Sequence, residues 1–136
     1  MKKASSKNLP VMQCFLSCES VSDSSGKRSL HSLFDNIFLG DFPGVFKPFF
    51  IFARVWGGSG KHTLAPTCIL PDGKQLGKIA QMSAKLTPNT GTEVGVEIGA
   101  IPLQKPGVLT FELLLDGKPL GWPCRIAIAK VPKEVK

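Results

Sequence analysis

The residues of this 136-residue chain best suited to acid–base, nucleophilic or metal chemistry are two histidines, His31 and His62, and four cysteines, Cys14, Cys18, Cys68 and Cys124. Cys14 and Cys18 are four apart. On a strand that spacing puts both on one face about 13 Å apart at ~3.3 Å per residue, too far to ligate one ion. Zinc sites show closer pairs such as C-x2-C, and neither histidine has a partner near it in sequence. Each cysteine lies in an apolar run (QCFLSC, TCIL, PCRIAIA), where a free thiol acts as a small buried hydrophobe. No metal ligand and no cofactor is predicted, and free thiols fit a reducing, cytoplasmic location.

Other motifs fail on inspection. GGSGKHT (57–63) resembles a phosphate-binding loop, but its first required glycine falls at Val55 and His62 stands where the hydroxyl residue must follow Lys61. A strand-like run also follows where that mechanism needs a helix, so the segment reads as a hairpin turn with a solvent-facing lysine. No serine lies in a G-x-S-x-G elbow. Glu93 and Glu97 would share a strand face about 13 Å apart at ~3.3 Å per residue, beyond the reach of a glycosidase pair. No catalytic residue is assigned. An enzyme would need a loop-built polar pocket holding His31 or His62 beside a carboxylate.

Seven of the nine phenylalanines fall between residues 34 and 52. Most must be core, but Phe42, Pro43 and Phe46 lie in a Pro/Gly-rich stretch and are the candidate binding patch. The formal charge of +7 sits mainly at the ends, where Lys2, Lys3, Lys7, Lys130, Lys133 and Lys136 face Glu134 alone. A nucleic-acid domain groups its cations on a folded face and interleaves them with aromatics. These lysines instead read as solvated, flexible tails at 1–10 and 131–136, flanking one domain at 11–130. Lys2 and Lys3 precede VMQCFLSC, a loose likeness to a lipoprotein leader, but Lys7, Asn8, Pro10 and Gln13 interrupt the apolar region. No run approaches the ~18 apolar residues of a membrane helix.

Hydrophobic residues make up 43% and charged residues 20%, the balance of a globular domain. Fourteen glycines and eleven prolines suit many short strands joined by tight turns. The spacing predicts strands at 11–20, with Met12, Cys14, Leu16 and Cys18 on one face and Val11, Gln13, Phe15 and Ser17 on the other, and at 28–39, with a break near Asp35–Asn36 and a short helix as the competing reading. GDFPGVFKP (40–48) reads as a connection between sheets. Further strands are predicted at 49–57, as a central strand, and at 61–70. Thr92 to Leu103 alternates, with Val94, Val96, Ile98 and Ala100 on one side. A hairpin strand with Leu109, Phe111, Leu113 and Leu115 inward follows, and then 119–130. Residues 75–86 fit a strand and a helix equally. The pattern is an all-β, antiparallel β-sandwich of seven or eight strands, immunoglobulin-like or jelly-roll-like in topology.

Several stretches together carry a resemblance: an apolar strand ending in CES (18–20), a Gly26–Lys27 turn, the loop DFPG, FFIFARVW, a PDGK turn and KPGVLTFELLLDGKPL. The chain resembles a family of short bacterial proteins known only as a domain of unknown function, over about residues 11–130. Its members run from a CE-x-V strand through a Gly-Lys turn to a late F-E-l-l-v-D-G hairpin. Leu109–Thr110 departs from the aromatic the family tends to place there, and the chain has no tyrosine. The resemblance implies architecture and no chemistry. The reading is a non-enzymatic binding or assembly module whose partner is another protein or a second copy of itself. The alternatives are a small hydrolase or ligand-binding enzyme, and nucleic-acid binding through the lysine tails, which the charge distribution disfavours. No membrane partner is predicted.

Overall fold

The computed structural model describes residues 9–132. The expected basic tails therefore lie outside the described residues, apart from Leu9, Pro10, Val131 and Pro132. The described chain is all-β, with strands β1 (Val11–Ser24), β2 (Lys27–Leu33), β3 (Asn36–Leu39), β4 (Gly44–Phe46), β5 (Phe49–Trp56), β6 (Gly60–Ile69), β7 (Gln75–Lys78), β8 (Met82–Leu86), β9 (Gly91–Ile98), β10 (Ile101–Leu103), β11 (Gly107–Leu115), β12 (Lys118–Pro119) and β13 (Cys124–Lys130). Thirteen segments replace the seven or eight predicted, because bends and prolines divide what alternation alone reads as continuous strands.

One sheet has the order β2-β1-β5-β9, all antiparallel. A second runs β3-β13-β11-β6-β7, with β12 beside β11 and β8 beside β6, and its β3–β13 pair is parallel. A small third sheet pairs β4 with β10. Inward residues of the larger sheets merge into one core: Met12, Phe15, Ile51 and Val55 from the first, Leu64, Leu109, Leu113 and Ile126 from the second. Phe49 on β5 is its hub. Its ring lies 5.4 Å from Phe34, 5.8 Å from Phe46 and 6.1 Å from Phe111 between centroids, which ties all three sheets together in tilted and edge-on contacts.

Five local features bear on the predicted strands. The β1–β5 register shifts between Met12 and Cys14, so Met12, Phe15 and Ser17 point inward while Leu16 faces out. A bulge inserts one residue and flips the parity beyond it, which overturns the predicted grouping of Met12 with Leu16. Residues 27–39 break at Phe34–Asp35, and the break is clamped by Ser17, whose hydroxyl donates to Phe34 O while Phe34 N–H donates to Ser17 O. No helix forms there. GDFPGVFKP is more than a connection, since Gly44–Phe46 forms β4. Residues 75–86 are two strands, β8 and β7, which pair with successive halves of β6 on either side of Pro66. The alternation of 92–103 also fails at Gly99–Ala100, after which Ile101 and Leu103 turn inward and Ala100 is exposed.

The far half of the β1–β2 hairpin does not simply extend the first sheet. Arg28 pairs with Asp23 at 2.7 Å and with Glu93 on β9 at 3.1 Å, although β1 and β5 stand between β2 and β9. Along β1, Asp23 lies ~30 Å beyond Cys14, which is level with Glu93, at ~3.3 Å per residue. Only a hairpin curled back over the outer face brings the groups together. Cys18 and Phe52 face away from the shared core, yet they are only 0% and 5% exposed, which fits a face covered in this way.

Candidate functional site

The chemistry-bearing side chains come together at one place. Asp116 follows β11 at a tight turn, and its backbone N–H donates to Thr63 O on β6. That ladder brings the Asp116 carboxylate to His62, 54 positions away in sequence, with Nδ1 to Oδ2 at 2.6 Å. The other oxygen, Oδ1, accepts the Thr63 N–H at 2.9 Å. His62 Nε2 meets Ser59 O at 2.7 Å. Lys61, Thr63, Ser83 and Lys85 complete a cleft of about 330 Å³ around the pair.

A histidine beside a carboxylate in a cleft is what the enzyme reading requires. The second ring contact changes its meaning. Both nitrogens of His62 face acceptors, a carboxylate and a carbonyl, and only the imidazolium can donate to both. The bond to Asp116 and the bond to Ser59 O hold the His62 pKa above its ordinary value of 6.5. The Thr63 N–H and then His62 hold Asp116 below its ordinary 3.8. No ring nitrogen is left to act as a base, so the pair is a clamp between the start of β6 and the end of β11.

Its pH dependence follows from those directions. The His62 contribution to stability is fully present below 6.5 and is lost as pH rises through the raised folded value. The Asp116 contribution is present above 3.8 and is lost as pH falls through the depressed one. The stability difference between wild type and His62→Gln is therefore expected to be largest between those limits and to shrink above neutrality. Urea midpoints of both proteins across pH 4 to 9 test this, and a difference that grows on the alkaline side rejects it.

The other candidates are placed apart. His31 Nε2 meets Ser22 Oγ at 2.7 Å on the hairpin, with no carboxylate partner among the described residues. All four cysteines are free; Cys18, Cys68 and Cys124 are buried and Cys14 is half-buried. Burial pushes Cys68 and Cys124 up to about 11, so these thiols stay protonated near neutrality. Glu93 is an ion-pair partner that accepts from Arg54 at 2.6 Å, while Arg54 Nε donates to Gln13, the bulge residue of β1. In the predicted patch, Phe46 turns inward against Phe34 and Phe49, Phe42 packs on the core, and Pro43 is exposed.

An open apolar surface lies elsewhere, on the second sheet at its β3 edge. Phe38 on β3 is 56% exposed and stands opposite Ala129. Ala127, two residues back on the same face of β13, stands opposite Val108, itself 46% exposed. In the parallel ladder, Ala127 N–H donates to Asp35 O and Val131 N–H donates to Leu39 O. Residues 35, 37 and 39 thus bond to β13, and the alternation turns the N–H and C=O groups of Asn36 and Phe38 toward the open edge. Sequence reasoning missed this site. Its signal was the run NIFL, which carries no charge, proline or glycine of the kind that normally blunts an edge.

A family model described as "Family of unknown function (DUF6941)" matches residues 13–126, and the chain belongs to that family. No curated protein matches it. Among solved structures, it is similar to that of Spo0M, a sporulation control protein from Bacillus subtilis, at 13% identity and a TM-score of 0.34. That match covers 85% of this chain and 49% of Spo0M, so the chain spans about half the length of that protein.

Proposed function

We propose that this protein is a non-enzymatic assembly module, a β-sandwich formed by its two larger sheets, that adds a strand of another chain to β3, with a second copy of itself as the first partner to test. The observation that carries this reading is the unblunted edge of β3. Two residues, Asn36 and Phe38, offer backbone groups unpaired among the described residues, and the flanking Phe38, Ala129, Ala127 and Val108 form an apolar floor that a partner strand or side chain would cover. Its uncharged sequence poses no like-charge clash to antiparallel pairing with its own copy. The free thiols support a reducing, cytoplasmic setting.

Sedimentation velocity over a range of protein concentrations tests this. The wild type is expected to associate and Phe38→Lys, which puts a charge in the floor without touching the Ile37 core contact, to stay monomeric. Added salt strengthens the association, since it screens the +7 repulsion between copies, whereas binding to nucleic acid weakens with salt. A wild type that stays monomeric throughout, or a Phe38→Lys variant that associates equally well, overturns the reading. A small hydrolase is the second reading, and the His62–Asp116 contact is the observation that favours it; it requires His62 to release Ser59 O.

A further inference from the structure

We propose that the cleft beside His62 is a binding site for a phosphate dianion, either inorganic phosphate or the phosphoryl group of a small monoester. The β6–β8 register sets Lys61 opposite Lys85 and, two residues along the same face, Thr63 opposite Ser83. Lysines directly opposite each other on a ladder repel, and the cleft supplies no acid to separate them. Its one lining carboxylate, Asp116, is already engaged by His62 and by the Thr63 N–H. Lys61 and Lys85 thus present two positive groups on one face beside one committed negative one, while His62, opposite Ala84 in the same register, is turned to the other face. A ligand with negative oxygens on several sides answers that imbalance.

The geometry suits a tetrahedral oxyanion. Opposed Cβ atoms are about 5 Å apart across the strands, and the second pair lies ~6.6 Å along them. Two ammonium groups can therefore close from one end on an anion that the Thr63 and Ser83 hydroxyls meet from the other. Each contact made by an ammonium is charge-assisted, and lysine binds phosphate as a compact point charge. The cleft, about 330 Å³, holds a phosphate together with hydrating water. The site stands at the opposite side of the second sheet from β3 and does not depend on the assembly reading.

Titration of the full-length 15N-labelled protein with inorganic phosphate, against sodium chloride at matched ionic strength, tests the proposal. Phosphate alone is expected to shift the amide signals of Lys61, Thr63, Ser83 and Lys85 saturably. The Lys61→Ala/Lys85→Ala variant is expected to bind on the order of tenfold more weakly, having lost two charge-assisted contacts. Both lysines are exposed, so its remaining spectrum is expected to match the wild type; Lys61→Gln/Lys85→Gln, which keeps most of each stem, serves if it does not. An adventitious ion only, shown by equal shifts with chloride or by undiminished affinity in the double variant, overturns the site, as does the absence of any saturable shift.

Discussion

Phe49→Ala is expected to destabilise the fold by about 3–5 kcal/mol, the range for loss of a fully buried aromatic side chain. Phe49 is 1% exposed, and its ring is shared among residues from separate parts of the architecture. Phe34 lies in the break between β2 and β3, Phe46 on β4 and Phe111 on β11. Truncation leaves a cavity that no single neighbour can fill, because each of the three rings is fixed by a different sheet or by the Ser17 clamp. Against a total stability of roughly 5–15 kcal/mol for a domain, this is enough to populate the unfolded state. Urea unfolding should show a lower midpoint with an unchanged slope. A loss below about 1.5 kcal/mol, the size of a volume-conserving swap, would mean that the three sheets do not share this ring.

The second large effect is at a glycine. Gly121 has φ of +70°, and a Cβ there would stand 2.7 Å from both Cβ and Sδ of Met12. Met12 is 3% exposed and belongs to the main core, so the Gly121 backbone lies directly on a buried side chain. Gly121→Ala is expected to cost about 2–4 kcal/mol, combining roughly 1 kcal/mol for the positive φ with 1–3 kcal/mol of overpacking. Gly117 separates these causes. Its φ is +87°, but nothing lies within 4 Å of a Cβ there, so Gly117→Ala carries only the conformational cost. Thermal midpoints of the two variants should fall by clearly different amounts, and equal falls would remove the Met12 contact from the account.

The sequence was most legible where alternation ran unbroken. Leu109, Phe111, Leu113 and Leu115 all face the core as their period of two requires, and β5, apolar on both faces, lies between β1 and β9. It was least legible where a single residue changed parity. The shift at Gln13 moved Phe15 inward and Leu16 outward, and nothing in VMQCFLSC marks it. The extra residue is stabilised from outside the segment, by Arg54 on β5. The His62–Asp116 pair was hidden for a related reason. His62 and Asp116 each begin or follow a turn, and only the register of β6 against β11 joins them. The β3 edge was invisible because an edge is defined by strand order, which patterning does not encode.

The parallel pairing of β3 with β13 has a kinetic side. It joins Asn36 to Ala127 and Leu39 to Lys130, about ninety positions apart, a closure whose entropy cost must be met before any contact rewards it. The β1–β2 hairpin needs only its own turn and can form early. β3 has nothing to pair with until β13 exists, since its one sheet neighbour is the C-terminal strand of the described chain. During synthesis the edge proposed for assembly is therefore absent until residues 124–130 have left the ribosome. Of the strand edges described, this one is thus the last to be completed.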